Sequence, residues 1–519
     1  MNAPLLAIEN LTLSFGASAA LNGLTLAIQP GEMLGLVGES GSGKSAAALA
    51  VLGLLPQGGQ LTGDIRFHGK QARPEHLRGR GIAMIFQDAR AALNPVRCIG
   101  RQIADVLHAH QGLRGAALQA EIIRLLAEVQ LTDTARLLRA YPYELSGGMC
   151  QRVGIALALA CKPDLLIADE PTTALDTTTQ AAIMQLLHGL IQRHGMAVLF
   201  ITHDLALAAA HCRRVAVMQA GRVVECAASQ TLFADPQHAY TQKLIAALPH
   251  RMAAQPAGEA VPLLDVRALR KLYPMRGKAE MLAAVDGVDL QIAQGEALGL
   301  VGESGCGKST LALLIARLLD ASAGSMKFEG QDIAAMPADG FAGTAQRRRI
   351  QMVFQDAAGS LNPRHTAFAA IADPLRHLLG LQGKALDSRV RECARLAGLP
   401  ENLLNRLPHQ LSGGQKTRIG IARAIATEPA LIVLDEPTAG LDAPVQAEIL
   451  ALLENLRLQL GMALMLISHD LNVVRQSCGR VAVMQHGRIV ETAPTAQLFS
   501  QPQHPHSREL LQALPRIEV

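Results

Sequence analysis

The sequence lacks tryptophan, and aromatic residues make up only 3% of its 519 residues. Charged residues are also scarce, at 18%, whereas hydrophobic residues reach 49%. A chain of this composition can bury large cores of aliphatic side chains, so disorder is excluded as its general state. Since 519 residues exceed what one compact core accommodates, we expect more than one domain.

Other absences exclude further classes of protein. No uninterrupted apolar run of about 18 residues occurs, which disfavours a membrane-spanning helix. The formal net charge of +4 favours neither a nucleic-acid-coating protein nor an acidic tail. The eight cysteines are scattered without a CxxC pair, so we expect neither zinc nor a disulfide framework. Because Glu9 precedes any basic residue, a signal peptide is disfavoured and a cytosolic compartment is expected.

One long internal repeat organises the chain. Segments 84–95 and 144–176 return, with changes, as 352–363 and 410–442. A repeat that spans about half of the chain indicates a whole domain that has been duplicated rather than a solenoid repeat. We therefore predict one domain at 1–250 and a second at 262–519. Residues 251–261, which are rich in Ala, Pro and Gly, are expected to form a short linker.

Each repeat carries a glycine-rich turn between an apolar strand and an Ala/Leu-rich helix. The turn has the pattern G-x-x-x-x-G-K-[ST] at 38–45 and at 302–309. Its backbone N–H groups can converge on a phosphate at a helix N-terminus. The lysine is expected to reach the β- and γ-phosphates, and the next serine to hold Mg²⁺. The expected nucleotide-binding residues are Gly38, Gly41, Gly43, Lys44, Ser45, Ala46, Gly302, Gly305, Gly307, Lys308, Ser309 and Thr310.

Two further motifs follow in each repeat. An apolar strand ends in a pair of acids, of which the first suits Mg²⁺ and the second suits polarising a water molecule. These pairs are Asp169 with Glu170 and Asp435 with Glu436. The motifs LSGGM and LSGGQ open a helix, with a serine of N-cap chemistry and two glycines that permit close approach of a phosphate. The residues concerned are Ser146, Gly147, Gly148, Ser412, Gly413 and Gly414.

With all these motifs in order in both repeats, the chain resembles an ATP-binding cassette (ABC) ATPase with two fused nucleotide-binding domains. The resemblance implies an α/β fold of two tandem P-loop NTPase domains. Each would have a RecA-like core, an antiparallel β subdomain and a helical subdomain that carries the LSGG signature. It also implies ATP and Mg²⁺ as cofactors and ATP hydrolysis coupled to transport.

The resemblance assigns roles to further residues. The aromatic residues that would stack on adenine are Phe15 and Tyr273. The Q-loop glutamines, which would sense Mg²⁺ and water and contact a permease, are Gln87 and Gln355. The histidines that would touch the γ-phosphate are His203 and His469, and the D-loops are 174–176 and 440–442. The implied metal ligands are Ser45, Asp169, Gln87, Ser309, Asp435 and Gln355.

The sequences FQDARAALNP and FQDAAGSLNP, and the tails HAYTQKLIAALP and HPHSRELLQALP, are similar to the oligopeptide/dipeptide/nickel importer subfamily. Fused members of this subfamily resemble ATPases for microcin, glutathione-type and metallophore uptake. The resemblance implies two transmembrane permease subunits, a periplasmic solute-binding protein and no nucleic acid. One chain would supply both ATPase halves at the cytoplasmic face of the inner membrane.

Some residues depart from the subfamily pattern. Cys150 replaces a usual Arg, Lys416 and Thr417 replace Arg and Gln, and Gly440 lies in the second D-loop. None of these changes removes a catalytic group, so both sites are expected to be competent. A cysteine-rich tail is absent, so no iron–sulfur cluster is expected. We expect the tail histidines, His504 and His506, to be solvated.

Two other classes remain as alternatives. Soluble tandem cassettes that act on ribosomes carry a long charged linker, whereas 248–262 is short and nearly uncharged. Cassettes that act on DNA carry zinc modules or long coiled coils, and the sequence shows neither a CxxC pair nor a sustained heptad block. Transport is therefore the favoured function.

Overall fold

The computed structural model describes residues 3–16, 18–173, 175–247, 262–274, 281–357 and 359–515. We call 3–247 the first half and 262–515 the second half. The linker predicted at 251–261 lies outside the described residues. None of the described helices combines the length and the apolar character needed to cross a bilayer.

Ten strands and eleven helices make up the described first half. The strands are β1 (Leu6–Phe15), β2 (Ser18–Ile28), β3 (Met33–Val37), β4 (Gln60–Phe67), β5 (Lys70–Gln71), β6 (Ile82–Ile85), β7 (Leu165–Asp169), β8 (Ala197–Thr202), β9 (Arg214–Gln219) and β10 (Arg222–Ala228). The helices are α1 (Lys44–Val51), α2 (Pro74–Leu77), α3 (Ala89–Ala92), α4 (Ile99–Gln111), α5 (Gly115–Glu128), α6 (Thr134–Leu137), α7 (Gly147–Leu159), α8 (Thr177–His194), α9 (Leu205–His211), α10 (Ser229–Ala234) and α11 (Ala239–Ala246).

The described second half repeats this series of elements. Its strands are β11 (Pro262–Pro274), β12 (Met281–Ala293), β13 (Ala297–Val301), β14 (Ala323–Phe328), β15 (Gln331–Asp332), β16 (Ile350–Val353), β17 (Leu431–Asp435), β18 (Ala463–Ile467), β19 (Arg480–Gln485) and β20 (Arg488–Pro494). Its helices are α12 (Lys308–Ile315), α13 (Ala338–Phe341), α14 (Gln346–Arg349), α15 (Ala367–Leu379), α16 (Gly383–Leu396), α17 (Gly413–Ile425), α18 (Ala443–Leu460), α19 (Leu471–Ser477), α20 (Thr495–Ser500) and α21 (Pro505–Gln512).

Each half contains a six-stranded and a four-stranded sheet. The six-stranded sheet of the first half has the order β10-β9-β3-β8-β7-β6, in which only the edge strand β10 is antiparallel to its neighbour. The four-stranded sheet is antiparallel, with the order β2-β1-β4-β5. Equivalent strands take the same order in the second half. These sheets confirm the predicted α/β fold, including the antiparallel β subdomain.

The central strands are buried along their whole length. Every residue of β3, β7 and β8 is buried, as is typical of parallel strands covered on both faces. One apolar core fills the space between the two sheets of the first half and contains Leu6, Leu34 and Ile167. A second core joins the six-stranded sheet to α4, α5, α7 and α8. The second half has the same two cores.

The C-terminal tail differs from the expectation for its histidines. His506 is only 3% exposed, so the prediction that it is solvated is wrong. His504 caps α21, because its Nδ1 accepts the backbone N–H of His506 at 3.2 Å. The tail is ordered because α21 places Leu510 in the core of the second half and also contacts α8 of the first half.

Candidate nucleotide-binding sites

Each glycine-rich turn links the end of a buried strand to the start of a helix. The first turn follows β3 and leads into α1, and the second follows β13 and leads into α12. Gly43 has a φ of 104°, and a Cβ atom there would lie 2.6 Å from the carbonyl oxygen of Ala20. Gly307 has a φ of 109°, and its Cβ would lie 2.1 Å from the carbonyl oxygen of Ala284. Backbone conformation and crowding therefore both require glycine before the lysine.

The two predicted lysines are buried within their own turns. Lys44 Nζ donates to the carbonyl oxygens of Gly38 at 2.7 Å and of Glu39 at 2.9 Å. Lys308 Nζ makes the equivalent contacts, both at 2.8 Å, in the second half. Burial lowers the pKa of Lys44, although Glu170 and Asp169 oppose this effect. The ammonium group of Lys44 therefore lies near Asp169, the last residue of β7, and Glu170, which follows it.

The first acid of each pair lies at the end of its strand and suits a cation. Ser45 Oγ donates to Asp169 Oδ1 at 3.2 Å, which brings together two of the predicted metal ligands. In the second half, Asp435 Oδ1 is buried without a hydrogen-bond partner. Burial is the main cause that raises the pKa of Asp169 and of Asp435. A buried carboxylate oxygen that lacks a donor fits coordination of a hard cation such as Mg²⁺.

The second acid of each pair is held by side chains far away in sequence. Glu170 accepts from Gln87 Nε2 at 2.7 Å and from Thr173 Oγ1 at 3.0 Å. Its other carboxylate oxygen lies 3.1 Å from His203 Nδ1. The structure thus brings together the three predicted catalytic residues of the first half. A φ of 47° at Glu170 places this residue in the left-handed region, where a non-glycine residue carries strain.

The second half reproduces this cluster. Glu436, with a φ of 48°, accepts from Gln355 Nε2 at 2.8 Å and lies 3.1 Å from His469 Nδ1. Burial alone would raise the pKa of each glutamate, but hydrogen bonding and charge from its histidine hold that pKa below its usual value. Burial likewise opposes protonation of the histidines, yet the glutamates raise their pKa values overall. The arrangement favours an ionised carboxylate beside a protonated imidazole.

The signature motifs begin helices, as predicted. Ser146 is the N-cap of α7, and its Oγ accepts the backbone N–H of Met149 at 3.3 Å. Ser412 caps α17 in the same way. A Cβ atom on Gly148 would lie 2.5 Å from Thr179 Cγ2, so this glycine also allows α7 to pack against the start of α8.

The departures from the subfamily pattern are accommodated locally. Cys150 is buried in α7, with its Sγ 3.5 Å from the carbonyl oxygen of Pro142. Thr417 Oγ1 donates to the carbonyl oxygen of Gly413 within α17. Gly440 has a φ of 70°, a conformation that favours glycine. None of the three replaces a side chain of the glutamate clusters.

The D-loop aspartates join the two halves. Asp176 Oδ2 accepts the backbone N–H of Ser304 in the second glycine-rich turn at 3.4 Å. Asp442 Oδ2 accepts the backbone N–H of Ser40 in the first turn at 3.3 Å. Each half therefore places its D-loop against the glycine-rich turn of the other, so the halves face each other head to tail.

The remaining predicted residues occupy the expected elements. Phe15 lies at the end of β1, and Tyr273 lies near the end of β11, with its ring centroid 5.4 Å from Lys271 Nζ. Ala46 and Thr310 lie in the first turns of α1 and α12. Their contacts with a nucleotide stay predictions.

Sequence reasoning missed one residue beside the first turn. Tyr240 in α11 accepts the backbone N–H of Glu39 at 3.1 Å through its hydroxyl oxygen. The repeat held a signal for it, since aligning HAYT with HPHS places Tyr240 opposite His506. Both equivalent tails place an aromatic ring, Tyr240 or His506, in a buried position. This shared placement indicates that the tails pack against the domains.

Comparison with known proteins identifies the family. The profile described as "ABC transporter" matches residues 21–173 and 285–439. The profile described as "Oligopeptide/dipeptide transporter, C-terminal region" matches 224–271 and 490–519.

Similar proteins align with almost the whole chain. The Peptidoglycan transport ATP-binding protein YejF of Agrobacterium fabrum is 42% identical, covering 99% of this chain and 97% of the relative. The Glutathione import ATP-binding protein GsiA of Pectobacterium atrosepticum is 40% identical, covering 98% of this chain and 89% of the relative. A dimeric bacterial ABC transporter cassette of known structure is 31% identical, covering 45% of this chain and 98% of that chain with a TM-score of 0.41. The chain belongs to the ABC transporter family, as an ATPase of the oligopeptide/dipeptide type with two fused ATP-binding domains.

Proposed function

We propose that this ATPase powers an importer of peptides or peptide-like solutes by coupling two ATP sites to separate membrane permeases. The names of the relatives support this substrate class, because peptidoglycan and glutathione both contain peptide bonds. The alternative of a ribosome-bound cassette has no comparable support among these relatives. We infer that the transported solute does not contact this chain, because its polar clusters suit phosphate and a cation.

The observation that carries the proposal is the contact that each D-loop makes with the glycine-rich turn of the other half. These contacts support ATP sites that are shared between the halves, because the aspartate of each D-loop reaches the opposing turn and the signature helix α7 packs against the helix that follows its own D-loop. A glycine-rich turn leaves the γ-phosphate open on one side, and a signature helix N-terminus can close it. Site one would consist of Lys44, Gln87, Glu170 and His203 with Ser412 and Gly414. Site two would consist of Lys308, Gln355, Glu436 and His469 with Ser146 and Gly148.

Within each site, the side chains have distinct tasks. Mg²⁺ would be held by the serine of the turn, the strand aspartate and the Q-loop glutamine, and it would neutralise phosphate charge. Glu170 and Glu436 would orient the attacking water and accept its proton. His203 and His469 would donate to the γ-phosphate. Closure of the halves on two ATP molecules would then supply the motion that the permeases use.

The partners and the location follow from this assignment. Two transmembrane permease subunits would receive the motion, and a periplasmic solute-binding protein would deliver the solute to them. The chain would lie as a peripheral protein on the cytoplasmic face of the inner membrane. Residues 1–250 and 262–519 would each contribute one ATPase domain, so no second chain would be needed.

Uptake by cells tests the proposal. A strain without this chain is expected to lose uptake of labelled short peptides, and the wild-type chain should restore it. The Glu170→Gln/Glu436→Gln variant should leave uptake at background, because the proposed water-orienting carboxylates are gone. Equal restoration by both chains would contradict the proposal, and co-sedimentation of the chain with ribosomes instead of membranes would favour the alternative.

A further inference from the structure

The contacts between the halves are not the same in both directions. Asp176 and Asp442 make equivalent contacts, but the two residues that follow them differ. Thr177 Oγ1 donates to the backbone carbonyl oxygen of His469 at 2.8 Å. Thr178 Oγ1 donates to Asp176 Oδ1 in its own half at 2.8 Å and lies 3.1 Å from Glu303 Oε1 in the second glycine-rich turn. The equivalent positions 443 and 444 hold Ala and Pro, which have no hydroxyl group.

The two loops that carry His203 and His469 are otherwise alike. In the first half, the backbone N–H of Asp204 donates to Thr202 Oγ1 at 2.9 Å. In the second half, the backbone N–H of Asp470 donates to Ser468 Oγ at 3.0 Å. Each aspartate then caps the next helix. The two loops therefore share these contacts. The hydrogen bond from Thr177 is an additional restraint on the loop that carries His469.

The restraint acts at the residue whose ring contacts the second glutamate. His469 lies between the end of β18 and the N-cap of α19, and its Nδ1 lies 3.1 Å from Glu436 Oε1. Fixing its carbonyl group fixes the backbone from which the ring projects. Thr177 is 5% exposed, and a hydrogen bond shielded from water resists exchange with solvent more than an exposed one does.

We propose that Thr177 is a positioning residue of the second ATP site, where it holds the His469 loop, and that the first site lacks an equivalent. The inference rests on the proposed function of the two clusters as ATP sites. It makes the sites unequal, because the Thr177 hydroxyl adds a contact to the second site that Ala443, at the equivalent position, cannot supply to the first. The contacts of Asp176 and Asp442 with the opposing glycine-rich turns are common to both sites and do not distinguish them.

Site-specific trapping of nucleotide by the full chain tests the inference. Vanadate and a photoreactive 8-azido-ATP label each site that has hydrolysed ATP, and mass spectrometry of peptides locates the label in either half. Thr177→Val keeps the shape of the side chain but removes the donor. Because one hydrogen bond contributes about 1 kcal/mol, it should lower labelling of the second half roughly three- to tenfold. Thr177→Ser, which keeps the hydroxyl, should retain wild-type labelling.

The outcomes separate this inference from the proposed function. The inference is supported if Thr177→Val loses labelling in the second half only. Labelling of the first half and the unfolding temperature should then be unchanged. The inference is overturned if Thr177→Val lowers labelling equally in both halves or does not lower it at all. It is also overturned if Thr177→Ser loses as much labelling of the second half as Thr177→Val does. In each of these cases the assignment of the two ATP sites is unaffected. A wild-type chain that traps no nucleotide in either half overturns the proposed function and, with it, the inference.

Discussion

Replacing Glu170 and Glu436 together by glutamine is expected to abolish steady-state ATP hydrolysis while ATP binding persists. The amide keeps the size of the side chain but cannot accept the proton of the attacking water. General-base catalysis contributes roughly 10²- to 10⁴-fold, so the residual rate should fall by at least about 100-fold. Phosphate release by the full chain measures hydrolysis, and equilibrium binding of a fluorescent ATP analogue measures binding.

The two single variants serve as controls for this prediction. Glu170→Gln and Glu436→Gln should each remove hydrolysis at one site only, which nucleotide trapping resolves. The geometry supports equal roles, since both glutamates have a φ near 48° and both contact a glutamine and a histidine. Full retention of hydrolysis in the double variant would show that neither carboxylate orients the water.

The second prediction concerns which signature motif closes which site. Ser412→Arg is expected to block vanadate trapping at the Lys44 site and to spare the Lys308 site. A bulky cation at the start of α17 would occupy the position proposed for the γ-phosphate of site one, at the N-terminus of the helix. The loss at the affected site should be at least about 100-fold, as expected when a phosphate contact is replaced by a steric block.

The mirror variant provides the matched control. Ser146→Arg, at the start of α7, should block the Lys308 site and spare the Lys44 site. Both serines are exposed N-caps, so the two substitutions carry similar costs for folding. If Ser412→Arg instead spared the Lys44 site and blocked the Lys308 site, the pairing would be the reverse of the one proposed.

The local parts of the fold were predictable because each has a short-range cause. The apolar strands, the glycine-rich turns and the serine caps follow from neighbouring residues, and the structure contains them at the predicted places. The internal repeat also predicted a duplicated domain, and the two halves contain equivalent pairs of sheets. The family resemblance added the antiparallel β subdomain, which no single motif in the sequence specifies.

Contacts between distant segments were not predictable in the same way. Gln87 and Glu170 are 83 residues apart, and only the parallel pairing of β6 with β7 brings them together. The hydroxyl of Thr177 finds its acceptor 292 residues away, in the other half. His506 was expected to be solvated, yet the packing of α21 buries it. Burial of a polar residue depends on tertiary neighbours that a local pattern does not contain.

The central claim is that one chain forms a complete unit with two shared ATP sites. A covalent connection between the halves sets their effective concentration on the order of millimolar, which favours closure within a chain over pairing between chains. Light scattering of the Glu170→Gln/Glu436→Gln variant with MgATP tests this claim most directly, because the bound state accumulates. We expect the mass of a single chain with and without MgATP, whereas an ATP-dependent shift to twice that mass would contradict the claim.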